Sequence, residues 1–398
     1  MRILCVTPYS QPEGGGLERY AHSILGRLGK AGHEVHQLCF TRLGPVTTVD
    51  VGHTIERIRP RSVLGNTPLH PGLLGHVRQR IRRLRPDVVV GHTPVPFPAE
   101  MAFLAAKAER LPYVLTYHAG SLRGSSFLLE VIARMDRLTA ERVMVSGSDR
   151  CIAVSPYVRD HALRRVARRT TIVPPGVDAT RFRPEGPAPE KPSILFVGPL
   201  AMSYRWKGLD TLWEAFRLVR KEVPEATLTL VGDGDRRLEL ERRALGTAGS
   251  VRLRGRLQDD ELAQAYREHT VTVLPSTTDA ESFGMVLAEA NACGRPVVAS
   301  RVGGMPDFVK DGENGLLARG GDPHDLAEKL VRILKDPELA ARLGENGRRK
   351  VALEHDWDKL TRRTLAVLES AVAGNPPPRA VPRQLEHEVP APPADGTA

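Results

Sequence analysis

Two successive series of alternating apolar runs and helix-like segments constrain the fold of this 398-residue chain most strongly. Strands that are joined through helices run parallel, and the helices then cover both faces of the sheet. A segment rich in proline and charge, residues 181–192, interrupts the pattern and has the composition of an exposed linker. The sequence therefore predicts an α/β protein of two doubly wound domains, with ligands bound where strand ends face the cleft between them.

The predicted elements follow from the periodicity of the apolar residues. In the first series the strands are 3–7, 34–40, 88–91, 113–117, 151–154 and 171–173, and the helices are 17–30, 73–84, 99–109 and 127–145. In the second series the strands are 194–197, 227–231, 251–253, 271–274 and 296–299, and the helices begin near residues 209, 236, 259 and 285. The predicted limits are 1–180 and 193–355 for the two domains, 356–373 for a C-terminal helix, and 374–398 for a disordered tail rich in proline and alanine.

Composition indicates a globular protein without a membrane span. No apolar run reaches the 18 to 20 residues that a spanning helix needs, and the first residues lead directly into a strand-like pattern, so we expect a cytoplasmic protein. The four cysteines are far apart in sequence and are expected to be buried, reduced thiols. The net charge of +10 favours anionic partners in general.

The stretch from Pro275 to Gly294 is the most informative part of the sequence. A strand ends at Pro275, a polar loop follows, and a short helix begins near Met285. Free amides at the start of such a helix are suited to hold a phosphate. Glu281 and Glu289 are eight positions apart, which at a helical rise of about 1.5 Å per residue is roughly 12 Å. The two carboxylates could reach opposite ends of one extended ligand, or they could be solvated residues that flank a core helix.

With Phe283 and Gly284 between them, these glutamates resemble the motif of the retaining glycosyltransferases of family GT4, in which two glutamates are separated by seven residues. The resemblance covers about residues 1–365. It implies the GT-B fold of two Rossmann-like domains, the first on the acceptor side and the second on the nucleotide-sugar side. By this resemblance Glu281 contacts hydroxyls of the donor sugar and Glu289 binds the ribose. The same loop would hold the diphosphate and adjoining groups through Ser282, Phe283, Gly284, Met285 and Val286.

A basic loop near the start of the second domain supplies cations for a diphosphate. A leaving diphosphate needs positive charge, and Arg205 or Lys207 could provide it. In the family the lysine of a Lys-Gly pair contacts the phosphates, which corresponds to Lys207. An arginine commonly follows the first glycine of the preceding loop, but here Pro199 occupies that position, so its role is vacant or is taken by Arg205. The alternative is a basic surface loop.

Two features of the first domain complete the predicted site. Gly15 and Gly16 follow the first strand, and without side chains they let a ligand approach the backbone. They correspond to the Gly-Gly loop that lines the diphosphate and acceptor side in the family. His118 follows the end of a strand, where such sheets place ligand groups. The resemblance puts a histidine at this site against the donor sugar, whereas His92 has no comparable context and is expected to be a surface or core residue.

The predicted activity is transfer of a hexosyl group from a UDP-sugar or GDP-mannose, with retention at the anomeric carbon. The resemblance indicates no metal, since cationic side chains and helix amides can replace a cation. It leaves the acceptor open among glycolipid, polysaccharide and small metabolite. A nucleotide-sugar epimerase on the same fold and a nonenzymatic anion-binding module are the rival hypotheses, and nucleic acid is disfavoured because no aromatic stacking platform accompanies the basic runs. The basic segment 78–85 could contact an anionic membrane at the inner face, or it could be the solvated side of a core helix.

Overall fold

A computed structural model describes residues 1–50, 52–64, 67–118 and 140–374. The predicted tail beyond residue 374 lies outside these ranges, as does the part of the predicted helix 127–145 that precedes residue 140. Within them the chain forms two α/β units, each with its own cluster of buried apolar side chains. The prediction of two doubly wound units is therefore confirmed, while the domain limits given above stay predictions.

An eight-stranded sheet forms the centre of the first unit. Its strands are β1 Arg2–Val6, β2 Glu34–Phe40, β3 Val46–Asp50, β4 His53–Ile58, β7 Val88–Thr93, β8 Tyr113–Tyr117, β9 Arg150–Ala153 and β10 Thr170–Ile172; β5 Ser62–Leu64 and β6 Thr67–Leu69 pair separately. The strand order is β10-β9-β8-β7-β1-β2-β4-β3, and all neighbours are parallel except β3 and β4.

The sequence prediction missed β3 to β6 for a physical reason. Central strands such as β1 are buried on both faces, so they read as continuous apolar runs. By contrast β3 lies at the sheet edge with Val46 and Val49 exposed, and β4 alternates polar with apolar side chains. Such strands carry no continuous apolar signal.

The second unit contains a six-stranded, entirely parallel sheet. Its strands are β11 Ser193–Val197, β12 Thr227–Val231, β13 Val251–Gly255, β14 Val271–Leu274, β15 Val297–Ser300 and β16 Gly315–Ala318. They lie in the order β13-β12-β11-β14-β15-β16. Five of the six were predicted, and β16 at the edge was missed.

Helices cover both sheets. In the first unit they are Gly16–Lys30, Leu73–Leu84, Pro98–Ala108, Ala140–Gly147 and Pro156–His161. In the second unit they are Leu209–Glu222, Arg237–Leu245, Asp259–Glu268, Met285–Ala292, Met305–Phe308, Pro323–Lys335 and Pro337–Glu354. The chain also contains two 3₁₀ segments, Arg164–Arg169 and Met202–Lys207. The last helix is Trp357–Val372.

The last helix returns to the first unit. Trp357, Leu360, Val367 and Leu368 are buried in the apolar cluster of that unit. The Trp357 ring lies 5.8 Å from the ring of Tyr20, centroid to centroid. The chain therefore crosses between the units twice, once through the linker and once before Trp357.

The basic helix Leu73–Leu84 packs its apolar stripe against the core, with Leu73, Val77 and Ile81 buried. Its arginines meet carboxylates of neighbouring elements. Arg80 donates two hydrogen bonds to Glu56, at 2.6 and 2.7 Å. Glu109 accepts from two further arginines of the helix, Arg78 and Arg82. The apolar stripe of this helix thus belongs to the core.

In the described parts of the chain no helix is long and apolar enough to span a bilayer.

Candidate active site

The two units approach each other at the loop that follows β1. Gly14 has φ +102°, and the Glu18 carboxylate occupies the space that a side chain on residue 14 would need. Glu18 Oε2 accepts a hydrogen bond from the Gly15 amide at 2.7 Å, which fixes the start of the Gly16–Lys30 helix. A Cβ atom at Gly16 would lie 3.4 Å from the sulfur of Met285 in the second unit. The structure thus brings predicted substrate-binding residues from both units into contact.

Glu289 is buried in the Met285–Ala292 helix, and both of its carboxylate oxygens are engaged. Oε1 accepts a hydrogen bond from Arg19 Nη1 at 2.6 Å, across the boundary between the units. Oε2 accepts from the hydroxyl of Tyr266 at 2.8 Å. Burial raises the pKa of Glu289, and the charge of Arg19 and the Tyr266 hydrogen bond oppose that rise. The carboxylate therefore lies beneath the boundary of the two units with a cation beside it.

Arg19 and Tyr266 were not identified from the sequence. Arg19 lies three residues after Gly16, so its position near a predicted site was a usable signal. Tyr266 lies on the Asp259–Glu268 helix and is completely buried, which in a sequence looks like any core aromatic residue. Its role depends on the packing of that helix against the Met285–Ala292 helix.

Lys207 and Glu281 form an ion pair, with 2.5 Å between Nζ and Oε2. The Ser276 hydroxyl donates to the same carboxylate oxygen at 3.4 Å. The ammonium of Lys207 also lies 4.5 Å from the centre of the Trp206 ring, a cation–π distance. The two residues that the sequence assigned to phosphate and sugar are therefore adjacent.

Close backbone packing holds the Lys207 turn against the strand that precedes Glu281. Gly208 has φ +77°, and a Cβ atom there would lie 1.9 Å from the carbonyl oxygen of Pro275. The Thr277 amide donates to the Trp206 carbonyl at 2.7 Å. Glycine is required at 208 by both its φ and this contact, which explains the Lys-Gly pair in physical terms.

The predicted phosphate loop, residues 282–286, leads into the Met285–Ala292 helix. Gly284 has φ +80° at the N-cap, and the first amides of a helix have no acceptor within the helix. A second loop packs against the segment that precedes this helix, and its Gly304 amide donates to the Glu281 carbonyl at 2.9 Å. The Ser282 hydroxyl donates to the carbonyl oxygen of His118, a second contact between the units. Phe283, Gly284, Met285 and Val286 thus begin a helix that faces the first unit.

His118 lies at the carboxyl end of β8, as expected, and its imidazole contacts another histidine. His118 Nε2 lies 2.8 Å from His92 Nδ1, and the two rings are stacked. Tyr20 meets the His118 ring edge-on at 4.9 Å. Burial lowers the pKa of His118 well below its usual range, and the neighbouring His92 lowers it further. The pair is therefore uncharged near neutral pH, and the sequence did not identify His92 as the partner of His118.

Arg205 occupies a different environment from Lys207. Its side chain is 68% exposed, and its contact is with Asp210, 3.3 Å away, rather than with Glu281 or Glu289. The role of Arg205 toward a ligand stays a prediction.

Among the described residues, no three His, Cys, Asp or Glu side chains lie together as a group that could hold a metal ion.

The loops that follow β11, β12 and β13 lie side by side. Gly232 and Gly234 have φ of +144° and +159°, and a Cβ atom on Gly232 would lie 1.9 Å from the Gly198 carbonyl oxygen. The Gly232 amide donates to the Gly255 carbonyl at 2.8 Å. Three loops that follow neighbouring strands thus meet at the same edge of the second sheet.

Comparison with known proteins agrees with this architecture. The family model described as Glycosyltransferase Family 4 matches residues 14–181, and the model described as Glycosyl transferases group 1 matches residues 178–350. The D-inositol 3-phosphate glycosyltransferase of Thermobifida fusca (strain YX) is 32% identical over 386 residues, which span 86% of this chain and 87% of that protein.

A protein of the same description from Streptomyces bingchenggensis (strain BCW-1) is 33% identical over 300 residues, 69% of this chain but only 65% of the relative's length. Among solved structures, Anabaena Alr3699/HepE in complex with UDP and glucose matches with a TM-score of 0.72 at 21% identity, over 92% of this chain and 99% of that one. At this identity the likeness shows the fold, which is GT-B. The two family models and the Thermobifida fusca relative, which is matched over most of its length, show that the chain belongs to glycosyltransferase family 4.

Proposed function

We propose that the protein transfers a sugar from a nucleoside diphosphate to an acceptor, with retention at the anomeric carbon. The observation that carries the proposal is the placement of the two glutamates. Glu281 is paired with Lys207, Glu289 is paired with Tyr266 and Arg19, and the amides of the 283–286 segment lie between the two pairs in sequence. This arrangement supports a donor that lies along the loop, with its sugar near Glu281 and its ribose near Glu289.

The reaction breaks the bond between the anomeric carbon and the diphosphate oxygen and forms a bond from the acceptor oxygen on the same face. The acceptor proton passes to the leaving phosphate. Lys207 and the amides of Met285 and Val286 would stabilise the negative charge that develops on the diphosphate. Glu281 and the uncharged imidazole of His118 would align the sugar by hydrogen bonds. Gly15 and Gly16 would leave room for the diphosphate and the acceptor.

The proposed donor is a UDP-sugar or GDP-mannose, bound without a divalent ion. A neighbour in fold holds UDP, and the cations Lys207 and Arg205 together with the helix amides are suited to replace a metal in neutralising a diphosphate. The relatives named above act on an inositol phosphate. A phosphorylated polyol is the acceptor class that these names support.

We also propose a weak peripheral contact with anionic lipid at the inner membrane face. The supporting surface is the solvated side of the Leu73–Leu84 helix and its C-cap, where arginines outnumber the carboxylates Glu56 and Glu109 that pair with them. The arginines are Arg78, Arg80, Arg82, Arg83 and Arg85. Attraction from such a surface is modest and falls with salt.

Nucleotide binding with and without chelator tests the donor proposal. The purified protein should be titrated with UDP and GDP in a calorimeter, and melted with each nucleotide in the presence of EDTA or Mg²⁺. We expect one nucleotide to bind and to raise the melting temperature equally in both buffers. Incubation with the matching nucleotide sugars should then release free nucleotide slowly. Loss of binding in EDTA would contradict the metal-free site, and failure of both nucleotides to bind would contradict the donor class.

A further inference from the structure

Arg19 connects the first unit to two carboxylates of the second. It lies in the first turn of the Gly16–Lys30 helix, and its Nη1 donates to Glu289 Oε1 at 2.6 Å. Its Nη2 lies 3.6 Å from Asp259 Oδ1. The Arg19 side chain is 39% exposed and that of Asp259 is 49% exposed, whereas that of Glu289 is only 4% exposed. One guanidinium therefore bridges a buried carboxylate and a carboxylate at the rim.

The contact with Glu289 uses the oxygen that a ribose would need. Tyr266 holds Oε2, and it is fixed by complete burial. Oε1 is therefore the oxygen that can change partners, and Arg19 occupies it. A ribose hydroxyl that approaches Oε1 from the direction of Arg19 Nη1 competes with the guanidinium for that oxygen.

We propose that Arg19 is a latch on the nucleotide site, and that a bound ribose displaces it from Glu289 onto Asp259. This inference rests on the proposed function, because it takes Glu289 as the ribose ligand. In this proposal Arg19 controls the affinity for the nucleotide sugar without contacting the nucleotide sugar.

The exchange leaves each charge with a partner. Glu289 passes from the guanidinium to the ribose hydroxyls, so its buried carboxylate is never left without a donor. Arg19 keeps Asp259, which it already approaches. Asp259 also accepts from Arg181 Nη1 at 2.8 Å, and Arg181 keeps a second carboxylate, Asp260, at 2.9 Å from its Nε. The ionic connection between the two units therefore persists while the nucleotide site opens.

The latch predicts an effect opposite in sign to that of a ligand contact. Arg19→Met keeps an apolar side chain of moderate length and removes the charge. If Arg19 competes with the ribose, this variant should bind UDP or GDP, whichever the parent binds, about three- to tenfold more tightly. The measurement is made at pH 8, because loss of the Arg19 charge raises the pKa of Glu289 and would favour its protonation in acid. A residue that contacts the nucleotide would instead weaken binding when removed. Arg19→Gln is the second variant if Arg19→Met does not fold.

Asp259 provides the complementary test. Asp259→Asn should weaken nucleotide binding about twofold or more in the parent, because Arg19 loses its alternative partner and stays on Glu289. In the Arg19→Met background the same substitution should have no effect. Asp260→Asn is the matched control, since it lies in the same turn and pairs with Arg181 but not with Arg19.

Calorimetry on these variants, with circular dichroism to confirm folding, decides the proposal. Inorganic pyrophosphate, which has no ribose, should not bind more tightly to Arg19→Met than to the parent. Equal or weaker nucleotide binding by Arg19→Met, or an Asp259→Asn effect that persists without Arg19, would overturn the latch while nucleotide binding by the parent upholds the donor site. A parent that binds neither UDP nor GDP would overturn the donor site and the latch together.

Discussion

The ammonium of Lys207 lies 2.5 Å from the carboxylate of Glu281, although the two residues are separated by 74 positions in sequence. The cation that we assign to the diphosphate and the anion that we assign to the sugar are therefore direct neighbours. We expect a bound donor to place its diphosphate near Lys207 and the amides of the helix start, and its sugar near Glu281.

The two glutamates should differ in what they contribute. Glu289→Ala should weaken free nucleoside diphosphate and nucleotide sugar alike, because the ribose is present in both. Glu281→Ala should spare the free nucleotide and impair turnover, since its partner is the transferred sugar. Loss of a charged hydrogen bond amounts to roughly 1.5 to 3 kcal/mol, about ten- to a hundredfold in the corresponding constant.

Calorimetry with the nucleotide and an assay of transfer or slow donor hydrolysis separate these effects. The exposed Glu345→Ala, on a helix of the second unit, is the matched control and should change neither measurement. The division of roles would be wrong if Glu281→Ala lost nucleotide affinity as severely as Glu289→Ala, or if it kept full turnover.

Tyr266 should set the pH range over which the nucleotide binds. Its hydrogen bond to Glu289 opposes the rise in the pKa of that carboxylate that burial causes. In Tyr266→Phe the pKa rises further, so the carboxylate takes up a proton at a higher pH. A protonated Glu289 is a weaker acceptor for the ribose. As acid is added, Tyr266→Phe should therefore lose nucleotide binding at a higher pH than the parent does.

Titrations of the nucleotide between pH 5 and pH 8 should show this displacement. Tyr113→Phe is the control, since Tyr113 is equally buried but donates to Ala99 in the first unit. Superimposable pH profiles for Tyr266→Phe and the parent would show that the hydroxyl does not influence the carboxylate.

Buried histidines should make the protein sensitive to mild acid. Burial lowers the pKa of His92 to about 3 and that of His355 to about 4, from an ordinary value of 6.5. Below pH 6.5 the unfolded chain binds protons that these folded side chains do not, so the free energy of unfolding falls as the pH falls toward 4. Above pH 6.5 this contribution to stability is fully present.

His355→Asn tests the effect in one position. The asparagine amide can still donate to the Pro175 carbonyl, as His355 Nδ1 does at 2.8 Å, but it does not titrate. Urea unfolding at pH 5, 6 and 7.5 should show a pH slope that is smaller by about 1 kcal/mol per pH unit between pH 5 and 6. An unchanged slope would exclude His355 as a source of the acid sensitivity.

The basic helix should give a weak, salt-sensitive attraction to anionic lipid. Alanine at Arg80, Arg82 and Arg83 should reduce sedimentation with vesicles that contain phosphatidylserine and leave sedimentation with neutral vesicles unchanged. Arg164→Ala with Arg165→Ala, in the other basic cluster, is the matched control. Equal sedimentation of the parent and the triple variant would show that the arginines serve only their pairs with Glu56 and Glu109.

The sequence predicted the elements whose signal is local and missed what depends on packing. The helix Leu73–Leu84 was predicted with both ends correct, because its apolar residues recur at helical spacing. The stretch from Glu281 to Glu289 indicated the family through its resemblance to the GT4 motif. The position of Arg19 near the glycine run was a signal, but its pairing with Glu289 could not be predicted, since the two residues are 270 positions apart and meet only through the orientation of one unit on the other. His92 was likewise recognisable only once parallel β7 and β8 placed it beside His118.

The return of the Trp357–Val372 helix to the first unit has a consequence for biosynthesis. When the ribosome has made residues 1–180, the apolar surface that Leu360, Val367 and Leu368 cover in the finished protein is still open. That surface stays open until the last helix emerges, after the whole second unit has been translated. The second unit is thus made as an insertion within the first, and the N-terminal half reaches its final form only after the Trp357–Val372 helix has been made.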